Sequence, residues 1–368
     1  MPFTIIRQDI TRVQADAIVN TANPDPQYGE GTDYAIYQAA GEEQLLEERR
    51  KIGKITPGEA AVTPALALQA KYIIHTVGPV WQGGESGEME TLTSCYRKSL
   101  YLAETLRCKS VAFPLISAGT YGFPKEQALQ IALDTIRDFC RESEMNVILA
   151  VFNKDAFRLS SELLDDVKQY VEDHYVEERW GEEHPFTSMN MAPSYSMPEA
   201  AISAPPKERR RKAFGPRKKE RRKEVDKPKE ISIEETGIYS SVTGGFADLE
   251  EHLEIKVGES FQEMLLRLID ERGLTDTQVY KKANIDRKLF SKIRCNPEYH
   301  PSKRTALALA VALELNLDQT VDLLSRAELA FSPSREFDLI VRYCIERQIY
   351  DVMEINAILF EYEQPLLA

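Results

Sequence analysis

The chain has 368 residues, 43% of them hydrophobic and 29% charged, a composition of globular proteins that excludes fibrous or wholly disordered character. Its formal charge of -13 excludes a surface that coats nucleic acid along its whole length, so any such contact must be local. At this length a single core is unusual, and a domain boundary is expected.

No run approaches the roughly 18 consecutive apolar residues of a membrane helix, and the N-terminus carries no basic and apolar leader pattern, so no membrane partner and a cytoplasmic protein are expected. The cysteines, Cys95, Cys108, Cys140, Cys295 and Cys344, are odd in number and far apart, without a C-x-x-C pair or neighbouring histidines. They read as buried thiols in a reducing compartment, with no metal and no cofactor.

In chain order, residues 3–6, 17–20, 72–77, 111–116 and 146–152 are apolar runs without charge, as strands buried on both faces require. Between them, residues 34–51, 88–106 and 125–142 place apolar side chains at helical spacing opposite charged ones. The alternation predicts a three-layer α/β fold. A last helix over 156–175, with Leu159, Leu163, Leu164, Val167 and Val171 on one side, is expected to close this domain, which spans 1–177.

Residues 178–254 lack periodicity and are dense in Pro, Ser, Met and charge, the composition of a disordered linker. Within it, the block 207–223 is strongly basic: either a solvated, self-repelling tail or an electrostatic clamp for a polyanion. Such a linker predicts independent motion of the domains it joins. From 255 to 368 the chain reads as a separate all-α domain. Phe261, Met264, Leu265, Leu268 and Ile269 open it, Thr275 caps a helix over 276–283, and a second short helix follows over 287–294. Further amphipathic segments lie at 302–315, 317–327, 335–347 and 351–361.

Two loops of the first domain carry residues suited to an anionic nucleotide. In Ile116-Ser117-Ala118-Gly119-Thr120-Tyr121-Gly122-Phe123-Pro124, a buried strand ends in small residues just before a helix. Small residues let backbone amides approach phosphate oxygens, and the helix N-terminus adds a favourable dipole. Upstream, Asn20-Thr21-Ala22-Asn23 ends another strand and runs into Gly29, Gly31 and Asp33. Paired asparagines there either cap the backbone or hydrogen-bond sugar hydroxyls. Asp33 either caps the following helix or acts on the ligand, and His75, in an apolar strand, reads as a core histidine.

These residues resemble a macrodomain, the α/β/α fold with a mixed sheet that binds ADP-ribose. The resemblance spans roughly residues 1–175 and rests on Asp9-Ile10-Thr11, Asn20-x-x-Asn23, Ala39-Ala40-Gly41, Ile74-His75-Thr76-Val77-Gly78-Pro79, Ser94-Cys95-Tyr96 and the loop from Ser117. It implies that Asp9 accepts a hydrogen bond from the adenine amine beside the Ile10 backbone, and that Phe152 packs on the ring. It implies further that Ser117, Ala118, Gly119, Thr120, Tyr121 and Gly122 cradle the pyrophosphate. Asn20, Asn23, Gly29 and Gly31 would surround the distal ribose, with Tyr121 packed on that sugar. Asp33 falls where hydrolytic members place an aspartate, so with Asn23 it is the candidate catalytic group, orienting or activating water. The sequence departs from many hydrolytic members at Glu30, a carboxylate between the two glycines. That residue either repels the ligand, serves as a second acid-base group, or faces solvent.

The segment 261–323 resembles the lambda-repressor-like helix-turn-helix group, with its turn at Asn284-Ile285. The resemblance implies that Arg287, Lys288, Ser291, Lys292 and Arg294 face nucleic acid from the second helix of the motif. The leading expectation for the whole chain is an ADP-ribosyl hydrolase acting on esters, with ADP-ribose or an ADP-ribosylated protein as partner. The alternatives are a non-catalytic ADP-ribose reader and a DNA-binding regulator responsive to that ligand.

Overall fold

In the computed structural model, residues 3–152, 159–183 and 258–368 are described. The expected linker beyond Glu183, with its basic block at 207–223, lies outside the described residues.

Six strands form one sheet: Phe3–Arg7 (β1), Ala17–Thr21 (β2), Ala60–Pro64 (β3), Tyr72–Thr76 (β4), Ser110–Phe113 (β5) and Asn146–Val151 (β6). Their order is β1-β6-β5-β2-β4-β3. Every neighbouring pair is parallel except β3 with β4, so the sheet is mixed. β1 and the four inner strands carry the uncharged apolar runs that sequence reveals. β3 has no such signature: it is a half-buried edge strand ending in Pro64, which only an edge tolerates.

Helices cover both faces. Glu88–Thr105 (α3) and Lys125–Glu142 (α4) pack Leu92, Leu100, Leu129 and Ile136 against Val19, Phe113 and Leu149. Thr32–Ala40 (α1) and Glu42–Ile52 (α2) pack Ile36 and Leu45 against Ile18, Ile73 and Ala112 on the other face. The sequence pattern predicts one helix over 34–51. Gly41, at φ 100, breaks it in two, because that backbone conformation is open to glycine and ends a helix.

The last third is all helical: Phe261–Glu271 (α6), Asp276–Lys282 (α7), Arg287–Cys295 (α8), Lys303–Ala312 (α9), Leu317–Ser325 (α10), Glu336–Glu346 (α11) and Val352–Glu361 (α12). Capping boxes led by Ser260, Thr275 and Asn316 start α6, α7 and α10, satisfying amides that the first helical turn leaves without partners. Asp286 caps α8.

The structure differs from the expected independent domains. The described segments on either side of the linker belong to one compact unit. Asn284, in the turn between α7 and α8, accepts from Phe3 N at 3.0 Å and donates to Phe3 O at 2.8 Å. Its amide thus pairs with a peptide of edge strand β1 as a neighbouring strand would. At the other end of β1, Arg7 pairs with Glu363 at 3.1 Å and lies over the Phe360 ring. Met353 and Ala357 of α12 enter the α3/α4 core, Tyr280 donates to Glu144 at 2.7 Å, and Arg137 binds Asp351.

The helix over Ser161–Glu183 (α5) does not close the α/β layer as its sequence suggests. Val167 joins the C-terminal core, Tyr170 donates to Glu346, and Tyr362 donates to the Leu164 carbonyl. Its apolar stripe is equally suited to a sheet or to helices, and only the fold decides. Four of the five cysteines are buried as expected, while Cys295, at the end of α8, is exposed. Among the described residues, no helix is long and apolar enough to cross a membrane.

Candidate functional site

The carboxyl ends of β2, β4, β5 and β6 and the segment after β1 converge on one edge of the sheet, where open parallel sheets leave a crevice. Two adjoining cavities occupy it. The larger, about 520 Å³, is lined by Asp9, Ile10, Ala118, Gly119 and Phe152 among others. The smaller, about 220 Å³, is lined by Asn23, Gly29, Glu30, Asp33, Ser117, Thr120 and Tyr121. Gly31, Thr32, Leu115 and Gly119 border both, so the two form one elongated cleft.

At the first end, Asp9 Oδ1 accepts from Thr11 N at 2.9 Å and from Thr11 Oγ1 at 2.8 Å. That fixes the carboxylate and leaves Oδ2 open to a donor in the cleft. Phe152 lines the same cavity with 73% of its surface exposed, a large apolar ring at the wall of the cleft.

In the middle, Ser117 takes φ 61 and turns the chain out of β5. Gly122 N donates to Gly119 O, and Phe123 N to Ser117 O, closing the loop. Among the described residues, the amides of Ala118, Gly119, Thr120 and Tyr121 donate to no protein acceptor. Four successive amides without protein partners among the described residues, just ahead of α4, are the arrangement that can receive an anion. Gly78, two residues past the end of β4, packs closely on this turn: a Cβ there would lie 2.0 Å from Ser117 Oγ. Gly122 completes the turn but lines neither cavity.

At the far end, Asp33 is only 3% exposed. It does not cap α1, whose N-cap is Gly31, and its carboxylate is held by other groups. Oδ1 accepts from Asn20 Nδ2 at 2.6 Å; Oδ2 accepts from Gly29 N at 2.7 Å and Asn23 Nδ2 at 3.4 Å. Burial lifts the carboxyl above its ordinary range, and these hydrogen bonds and the charge of Arg49 pull it back down.

Asn20 is fully buried and lines neither cavity. Its Nδ2 also donates to His75 Nδ1 at 3.2 Å, which leaves the proton on Nε2 facing Thr63 Oγ1 at 2.9 Å. The register that sets Asn20 opposite His75 on β2 and β4 creates this contact. Burial depresses the His75 imidazole to about 3, so it stays neutral. The histidine is a core residue as its apolar strand suggests, and it braces the group behind Asp33.

Glu30 lines the smaller cavity from an exposed position between two demanding ones. A Cβ on Gly29 would meet Asn23 Nδ2 at 2.8 Å, and Gly31 has φ 64. Position 30 has neither constraint, so a side chain fits there. Sequence reasoning missed Arg49, which lies behind the far end of the cleft with 1% exposure. It stands in the run Glu47-Glu48-Arg49-Arg50-Lys51, where nothing marks it from its solvated neighbours.

The fold and cleft define a three-layer α/β protein with an elongated cleft at the ends of its parallel strands. The chain belongs to the Macro domain family, whose profile matches residues 19–132. A Macro domain-containing protein of Methanosarcina mazei is 48% identical over 165 residues, covering 44% of this chain and 88% of that protein. An O-acetyl-ADP-ribose deacetylase of Citrobacter rodentium is 44% identical over 165 residues, covering 44% of this chain and 93% of its own length. Among solved structures, the Oceanobacillus iheyensis macrodomain with ADP is 35% identical, covering 42% of this chain and 85% of that one at a TM-score of 0.40.

Proposed function

We propose that the cleft binds ADP-ribose and that the protein hydrolyses ADP-ribosyl esters, O-acetyl-ADP-ribose or an ester-linked protein modification. The observation that carries the reading is one continuous cleft with a row of unpartnered amides at its centre and a fixed, buried carboxylate at its end. The deacetylase name of the relative from Citrobacter rodentium supports the same chemistry.

In this reading Asp9 Oδ2 takes the adenine amine, the Ile10 backbone lies beside it, and Phe152 stacks on the ring. The amides from Ala118 to Tyr121 hold the pyrophosphate; Asn23 and Tyr121 meet the distal ribose; Gly29 and Gly31 let the sugar approach. Asn20 acts from behind by fixing Asp33. Asp33 takes a proton from water as the water oxygen bonds to the carbon of the breaking C–O ester bond, and returns that proton to the leaving oxygen, a role favoured by a carboxyl raised above its ordinary value.

Asp33→Ala is expected to lower turnover of O-acetyl-ADP-ribose by about 100-fold or more while ADP-ribose binding, read by calorimetry, persists. A base must be ionised, so the rate falls as pH drops through the folded pKa of Asp33. Because burial raises that value, the acid limb should begin above the usual carboxylate range. Wild-type binding without turnover would leave a non-catalytic reader; failure to bind ADP-ribose would remove both readings.

A second reading concerns α8. Arg287, Lys288, Ser291, Lys292 and Arg294 are all exposed, as a helix-turn-helix surface contacting DNA requires. Lys292 lies over the Tyr299 ring and Arg294 binds Asp276, which fixes two of the cations on this face. The full chain should bind a short DNA duplex with an affinity that falls steeply as salt rises. A flat response, or no binding at low salt, counts against nucleic acid.

A further inference from the structure

Arg49 is a buried cation that forms no ion pair in the described structure. Its Nη2 donates to the carbonyls of Asn23 and Pro24, each at 3.1 Å, and its Nη1 donates to the Gly53 carbonyl. A buried charge is costly unless a partner compensates it, and three neutral carbonyls are partial compensation. Those bonds span the C-terminal end of α2, marked by Gly53, and the turn that follows β2. The turn carries Asn23, whose Nδ2 reaches Asp33 Oδ2. The guanidinium is thus linked to the carboxylate that lines the cleft through two hydrogen bonds, with Asn23 between them.

We infer that Arg49 is a positioning residue for ester hydrolysis: its fork fixes the turn from which Asn23 reaches the Asp33 carboxylate, and its positive charge lies behind that carboxylate. The inference rests on the hydrolase reading for its kinetic part only. Charged and titratable groups facing Asp33 come from every side: Arg49 from α2, Tyr37 from α1, His75 behind Asn20 from β4, and Tyr121 from the loop after β5, with Glu30 across the smaller cavity. His75 is neutral and the tyrosines are held protonated by burial, which leaves Arg49 as the cation of this group. Arg49 is therefore offset by Asp33 across the Asn23 turn and by Asp25 within that turn, and it in return lowers the cost of burying Asp33.

The test compares wild type with Arg49→Met, which keeps the bulk, and Arg49→Lys, which keeps the charge without the fork. The full chain is used, with two readouts: carbon-13 titration of the Asp33 carboxyl, which needs no turnover, and kcat with its pH profile on O-acetyl-ADP-ribose. In Arg49→Met the Asp33 titration should move to higher pH, and kcat should fall on the order of 10- to 100-fold, as for a displaced catalytic group. ADP-ribose affinity should stay within about threefold, a loss below one power of ten in binding. Arg49→Lys should restore the titration but only part of kcat. An unmoved Asp33 titration in folded Arg49→Met overturns the electrostatic role. Should that variant fail to fold, wild-type kcat in Arg49→Lys overturns the positioning role. Absence of turnover in wild type refutes the hydrolase reading alone, since the titration still reports on Arg49.

Discussion

Asn284→Ala is expected to destabilise the folded chain by about 3 kcal/mol, the effect of leaving two buried backbone groups without partners. The amide of Asn284 satisfies both Phe3 N and Phe3 O, and both residues are buried. Alanine also tolerates poorly the φ of 54 that this turn requires. Asn284→Gly separates the two contributions, since glycine adopts that φ freely but cannot bridge the strand. Urea midpoints give the total, and hydrogen exchange at the Phe3 amide locates it. If both variants keep wild-type midpoints and Phe3 protection, the edge pairing contributes nothing to stability.

The second large effect is acid sensitivity from His75. Below about pH 6.5, the unfolded chain takes up a proton there that the folded chain refuses, because burial holds the folded imidazole near 3. Folding stability is therefore complete above the ordinary histidine range and is lost as pH falls, at about 1.4 kcal/mol per pH unit. His75→Gln retains a donor for Thr63 and an acceptor for Asn20 without the titration. Between pH 7 and pH 5 the wild type should lose about 2 kcal/mol more than this variant. Equal losses in the two proteins would show that His75 ionises freely in the folded state.

The α/β layer was largely legible in the sequence because buried parallel strands are uncharged apolar runs and their covering helices are amphipathic. β3 was not, since an edge strand needs neither run nor charge gap. The cleft was legible where glycines, small residues and an Asn-x-x-Asn pair mark backbone conformations and polar contacts. Asp33 stood out for the same reason, but its partners did not follow from spacing. Asn20 meets it through strand register, and Arg49 through the way α2 folds back on the turn after β2.

The docking of the C-terminal helices escaped sequence reading altogether. Asn284 in a tight turn looks like a residue chosen for its backbone, and only the fold reveals that its side chain completes a sheet. Likewise Met353 and Ala357 belong to an ordinary helical stripe until α4 lies beneath them.

That docking bears on how the protein is dissected in the laboratory. A fragment ending before residue 258 would bare the apolar patch that Met353 and Ala357 cover, and would offer the rim of β1 to any passing chain. Poor behaviour of such a piece in a binding assay would report stickiness created by cutting, and the intact polypeptide is the proper reagent.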